Sequence, residues 1–317
     1  MRIATFHTKD GGRRIGLQGA YGLLDVVAAA RIAGKTHSQL DLLARIPGVR
    51  ALLETGEAGM AALRVLDGLG ASPELAEAMI APGAARLEPP VPELDKFFCV
   101  GKNSRAHLEE LKRNDLIKEI PSEPTGFIKL NCILSGHDDA VERPEGITTL
   151  DYEPEIVFVI GKPSYRVSAE KALDHCAGVT LLNDLTAREI QKREVVSGGR
   201  FWTSKNMPGF GPVGPYIVTL DELKDPLDLE ISCSVNGQER LRYKSSDQIY
   251  GIAEALAHFS YYVPFYPGDM ISLGSPGGVA VGQANAQDLY LKPGDSVEVS
   301  LDGIMTLRTH IAAPRPA

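Results

Sequence analysis

The sequence predicts an α+β protein, mainly β, preceded by a small N-terminal α/β domain. Three observations carry this prediction. From Phe97 onward, short strand-like runs follow one another with turn punctuation between them. Helical runs are few among them, and the regular strand–helix alternation of a doubly wound nucleotide fold is missing. Before Phe97 the texture changes to alanine- and leucine-rich helical stretches.

Taken in order, MRIATFH and RRIGLQ flank a Gly11-Gly12 turn and read as strands, with helices after them. RLEPPVPELDK then brings three prolines together and marks a boundary. The expected division is a small accessory domain over 1–92 and a catalytic-sized domain over 93–317. His7 and His37 stand alone in the first part and read as surface or packed histidines. In the second part KFFCVGKN, TGFIKL, EIVFVIGK, AGVTLLND, GPYIVTL, LEISCSVNGQ, DMISLG and DSVEVSLDG read as strands. Pro267-Gly268-Asp269 and Pro293-Gly294-Asp295 are turns that each launch a strand. Helices are expected near 105–113, 169–175, 186–195 and 247–262. GFGPVG, from Gly209 to Gly214, matches G-x-G-x-x-G, but it contains Pro212 and runs into a strand. A dinucleotide loop opens a helix, so this is a turn.

The 317 residues carry a net charge of -8, which argues against nucleic acid or a membrane surface as partner. Cys99, Cys132, Cys176 and Cys233 are scattered without a C-x-x-C pair, the usage of reduced thiols. No apolar stretch approaches a membrane span, and the N-terminus lacks a signal-like apolar segment. The expected setting is the cytoplasm.

Chemistry concentrates in a few stretches. In LDYEPEIVFVIGK (150–162), Glu153 and Glu155 are two apart and share one face of an extended chain. The apolar run Ile156–Ile160 behind them suggests a strand buried on both faces. Carboxylates at the mouth of such a strand need a partner, and a divalent cation is the simplest one. Alone, such a pair is more often a solvated strand end. Asp184 closes AGVTLLND and offers a third oxygen ligand; its plain alternative is a helix-entry residue. Thr186 and Glu189 have capping-box spacing for the helix that follows. An all-oxygen set suits Mg²⁺, Mn²⁺ or Ca²⁺ better than zinc.

In GKNSRAHLEELKR, Ser104 is a candidate N-cap, with Leu108 and Leu111 facing the core. His107 and Glu110, at i and i+3, are either an ordinary exposed pair or a general base oriented by a carboxylate. The polar stretch 114–124 is either a lid or a plain surface loop. Lys129 sits among apolar residues of TGFIKL and Lys205 in FWTSKNMPGFGP; either could meet a substrate carboxylate or developing negative charge.

The ordered set resembles the fumarylacetoacetate hydrolase superfamily. The likeness rests on VGKNSRAHLEE, FIKL, LDYEPEIVFVIGK, AGVTLLNDLTAREIQ, TSKNMPGFGPVGPYIVT, VNGQ, YPGDMISLGSPGGV and LKPGDSVEVSLDGIMTLR. It implies a mixed β-roll of pseudo-barrel form with peripheral helices, in a homodimer. It also implies that Glu153, Glu155 and Asp184 bind Mg²⁺ or Mn²⁺, and that His107 and Glu110 activate water. Lys205 would face the reacting substrate, with Lys129, Gln191 and Ser275 as further substrate contacts. The implied activity is hydrolysis of a C–C bond in an acylpyruvate or a related β-diketo acid. Close relatives decarboxylate oxaloacetate or isomerise or hydrate unsaturated 2-oxo acids, and a non-enzymatic cation or small-acid binder is the rival of another class. Three departures fall around the substrate: Ser104 in place of an aromatic, a long 114–124 segment, and GSPGG in place of GTPxG.

Overall fold

The computed structural model describes residues 1–8, 11–70, 72–114, 121–198 and 201–315. Residues 115–120 of the stretch read as a lid or a plain surface loop lie outside the described residues. A large sheet runs through the molecule. Its central strands are Arg2–Thr8, Gly211–Thr219, Cys176–Asn183, Pro154–Ile160, Met270–Ser272, Phe97–Gly101 and Thr125–Lys129, in that spatial order. These neighbours are antiparallel except for Met270–Ser272 against Phe97–Gly101. A second sheet is ordered Gln238–Lys244, Glu230–Val235, Ser296–Leu301, Met305–Ala312 and Ala140–Glu142.

The strand Pro154–Ile160 is buried at every position. Because side chains alternate across a strand, it feeds two cores. Ile156, Phe158 and Ile160 pack with Ile231, Val299 and Leu256 of the second sheet and the Ile252–Tyr262 helix. Val157 and Val159 pack on the other side with Val26, Leu63 and Leu66 of the N-terminal helices. The N-terminal segment thus covers one face of the large sheet. It also joins that sheet, since Arg2 and Ile3 pair with Val218 and Ile217. Glu155 has the parity of Val157 and Val159, so it projects on the face that the N-terminal helices cover.

Several local expectations shift. The helix expected near 169–175 is two 3₁₀ turns, Ala169–Lys171 and Leu173–His175. The last helix begins only at Ile252, because Gly251 caps it and Ser245–Asp247 forms a separate 3₁₀ turn. The helix after Asp184 begins at Arg188, because Thr186 and Ala187 pair with Asp151 and Leu150 as a short ladder. The Gly209–Gly214 stretch enters the strand Gly211–Thr219, as a turn reading requires.

Two features carry the sheet ends toward the site. Asn103, 1% exposed, donates from Nδ2 to the carbonyls of Tyr250 and Leu273 (2.8 Å each) and accepts from the Tyr250 N–H (2.8 Å). It therefore ties the root of the Arg105–Arg113 helix to the turn after Met270–Ser272. In that turn Gly274 has φ +84°, and a Cβ there would overlap the Val100 carbonyl oxygen. Replacing Asn103 with Ala strands these backbone groups inside the protein. It should lower stability by about 3 kcal/mol in urea unfolding, in line with the cost of unpaired buried polar groups. A loss near zero would show that the staple is dispensable.

Candidate metal centre

Glu153 and Asp184 meet where two neighbouring strands leave the sheet. The Glu153 N–H donates to Asn183 Oδ1 (3.0 Å), and its carbonyl accepts from the Asp184 N–H (2.8 Å). Glu155 lies opposite Leu182 one step further in. Pro154 stands between the glutamates facing Asn183, and its carbonyl accepts from the Tyr243 hydroxyl (3.2 Å). Glu153, Glu155 and Asp184 are at most 2% exposed, and one carboxylate oxygen from each lies within 4.8 Å of the others.

Cations and hydroxyls surround the three acids. Lys205 Nζ donates to Glu153, Asp184 and Thr186 Oγ1. Lys129 Nζ donates to Asp184 and to the Lys205 carbonyl (2.7 Å). Arg188 donates to Glu153 (2.6 Å), to Asp151 (2.7 Å) and to Gln191 Oε1 (2.8 Å). Ser272 and Ser275 hydroxyls donate to Glu155, the latter at 2.6 Å. Counting Asp151, four acids face three cations (Lys129, Arg188 and Lys205), which leaves one negative charge if all ionise.

The two glutamates respond in opposite directions. Burial, and then the Asp184 charge, push Glu155 up to about 8. Burial would also raise Glu153, but Arg188 and Lys205 outweigh it and hold that carboxyl well below the usual carboxylate range. A hard divalent cation fits this donor set. It takes oxygen ligands at about 2.0–2.6 Å, so three oxygens within a 4.8 Å span can share one ion. It would also relieve the repulsion that raises Glu155.

His107 and Glu110 are buried beside the triad, so the exposed-pair reading does not hold. Ser104 caps their helix, its Oγ accepting from the His107 N–H (3.4 Å). His107 Nδ1 lies 3.2 Å from Glu110 Oε2, and its Nε2 lies 3.8 Å from Glu153 Oε1. Glu110 Oε1 accepts from the Gly278 N–H (2.8 Å). A cavity of about 30 Å³ is lined by His107, the three carboxylates, Lys205, Gln191 and Ser275, with Phe127, Phe201 and Leu111 as apolar wall. That is room for one or two waters.

Lys129 differs from its expected place at the substrate. Its side chain is fully buried behind Asp184 and does not line the cavity. The capping box is also corrected. Ala187 is the N-cap, and Glu189 accepts from the N–H groups of Thr148 (2.6 Å) and Thr149 (2.8 Å) instead of closing on Thr186. Asp151, Arg188 and Ser272 escaped the sequence reading. Asp151 had a signal, because it shares the parity of Glu153 and Glu155.

Residues 96–312 match the model of the fumarylacetoacetate (FAA) hydrolase C-terminal domain. The chain belongs to the fumarylacetoacetate hydrolase family. It is 34% identical over 283 residues to oxaloacetate tautomerase YisK of Bacillus subtilis strain 168, covering 87% of this chain and 91% of that protein. It is 34% identical over 239 residues to 2,4-didehydro-3-deoxy-L-rhamnonate hydrolase of Sphingomonas sp. strain SKA58, covering 75% and 81% of the two chains. The fumarylacetoacetate hydrolase structure from Exiguobacterium antarcticum superposes with a TM-score of 0.75 at 29% identity, over 99% of both chains. These relatives thus include hydrolases and a tautomerase. Among the described residues, no helix is long and apolar enough to cross a membrane.

Two outcomes test this centre. Folded Glu155 keeps its proton until about pH 8, whereas the unfolded chain releases it near the ordinary glutamate value of 4.5. The stability this group contributes is therefore present at low pH and lost as pH rises through 8. Metal-free protein should lose melting temperature between about pH 5 and 8 and level off above that, and the increment from added Mn²⁺ should grow over the same range. An increment that shrinks with pH would contradict this. Arg188→Met strands Asp151 and should destabilise by about 3–5 kcal/mol, the cost of breaking a buried ion pair. Thermal and urea unfolding read this out, and an unchanged midpoint would contradict it.

Proposed function

We propose that this family member hydrolyses a C–C bond of an acylpyruvate or related β-diketo acid, with Glu153, Glu155 and Asp184 holding Mg²⁺ or Mn²⁺. The observation that carries the reading is the buried His107–Glu110 dyad, whose free imidazole edge faces the carboxylates across a water-sized cavity. When bound there, a divalent cation supplies Lewis acidity to the 2-oxo acid end of the substrate. Glu110 holds His107 Nδ1–H, which leaves Nε2 as the basic nitrogen. His107 Nε2 takes a proton from water as the water oxygen bonds to the distal carbonyl carbon, whose π pair moves onto the carbonyl oxygen. As that oxygen re-forms its double bond, the C–C bond breaks, the distal fragment leaves as a carboxylic acid, and the electron pair moves onto the pyruvyl fragment. Lys205 opposes that negative charge, and the proton on His107 returns to the carbon as pyruvate forms. Ser275 and Gln191 line the same cavity and would orient the oxygen atoms of the substrate. Lys129, behind Asp184, supports the ligand rather than the substrate. We further propose a homodimer as the working unit.

The Bacillus relative, 34% identical across most of both chains, favours a second reading. Tautomerisation of oxaloacetate needs only proton transfer, which His107 could also perform. The two are separated by coupled assay of pyruvate from an acylpyruvate panel with Mn²⁺, beside the keto–enol absorbance of oxaloacetate. Pyruvate release that falls about 10²-fold or more in His107→Ala supports hydrolysis, given what a general base contributes. Oxaloacetate turnover with no pyruvate from any acylpyruvate would overturn it.

A further inference from the structure

We infer that Gly282 is a positioning residue for the His107–Glu110 dyad, the missing side chain being the space in which the Glu110 carboxylate lies. The inference rests on the dyad's role proposed above. A Cβ built on Gly282 would overlap Glu110 Cδ and come within 2.6 Å of both carboxylate oxygens. The turn that carries Gly282 cannot retreat. The N–H groups of Ala280 and Val281 both donate to Asp151 (3.0 Å each), and Asp151 is held by Arg188 (2.7 Å). Arg188 also holds Glu153 (2.6 Å), so the turn is anchored to the triad itself.

The dyad helix is tied to the same turn from its other side. Gly278 N–H donates to Glu110 Oε1 (2.8 Å), and Asn114 Nδ2 donates to the carbonyls of Glu110 and Val281 (2.9 Å each). With the backbone held on both sides, the flexible end of Glu110 is what must give way when position 282 gains a methyl group. Its displacement breaks the bond from Gly278 and the contact to His107 Nδ1. The imidazole then loses the partner that orients Nε2 toward the triad. Gly282 thus acts through Glu110, without touching substrate or reacting atoms.

A double-mutant cycle tests this. Gly282→Ala should lower kcat about tenfold or more, part of what a general base contributes, while KM and Mn²⁺ affinity stay unchanged. In a Glu110→Asp background, where the carboxylate sits one methylene back, the same substitution should cost less than about twofold, the range within which uncoupled sites add. Melting temperature gives a readout independent of any substrate. Gly282→Ala should lower it in the parent protein and leave it level or raised in Glu110→Ala, where the space is open and alanine restricts the unfolded chain. Equal penalties in both backgrounds, in kcat or in melting temperature, would overturn the inference. If no acylpyruvate or oxaloacetate is turned over, the functional reading fails, and the melting-temperature cycle still decides the role of Gly282.

Discussion

Four carboxyl groups sealed inside the protein against three cations are the constraint on which the rest of this structure depends. Asp151, Glu153, Glu155 and Asp184 are all at most 2% exposed, and burying such groups is tolerable only with dense hydrogen bonding and charge pairing. The architecture supplies both. Adjacent antiparallel strands end together, so Glu153 and Asp184 are joined through their backbones, and Lys129, Lys205 and Arg188 arrive from three other segments. Burial, and then the neighbouring negative charge of Asp184, make Glu155 hard to ionise, and a divalent cation would ease it.

The same constraint explains the covering of the central sheet. The strand that leads to the buried acids is sealed on both faces, so water reaches the carboxylates only through the small cavity they line and their pairing is little screened. Residues of Pro154–Ile160 therefore alternate between a core shared with the second sheet and a core shared with the N-terminal helices. Arg188 and Asp151 extend the arrangement outward. Through the backbone of the 278–282 turn, they hold the dyad helix in register with the acids. The triad and the base are one mechanical unit, although their residues are more than forty positions apart in the chain.

Much of this was legible in the sequence. Period-two spacing put Glu153 and Glu155 on one face, the apolar run signalled double burial, and the end of a strand picked out Asp184. The i,i+3 relation paired His107 with Glu110. What stayed hidden depends on distant segments. The dyad is buried because the 277–282 turn, far along the chain, packs over its helix. Lys129 is apolar-flanked in either role, and only the approach of Asp184 decides which way it serves. Thr186 and Glu189 have the spacing of a capping box, but a two-residue ladder with Leu150 and Asp151 captured the first of them, and the N–H groups of Thr148 and Thr149 captured the second. Local propensity lost to tertiary hydrogen bonds in that case. The 169–175 stretch broke into two 3₁₀ turns, for which the structure offers no single residue as cause.

The most direct test of the central claim is anomalous diffraction from crystals grown with Mn²⁺. One strong peak should lie among Glu153, Glu155 and Asp184, with an oxygen of each at roughly 2.0–2.4 Å and Lys205 Nζ withdrawn from the ion. It should vanish in Asp184→Asn crystals grown in the same way. A triad without a peak, with Lys205 still bridging Glu153 and Asp184 at saturating Mn²⁺, would contradict a metal centre at this place.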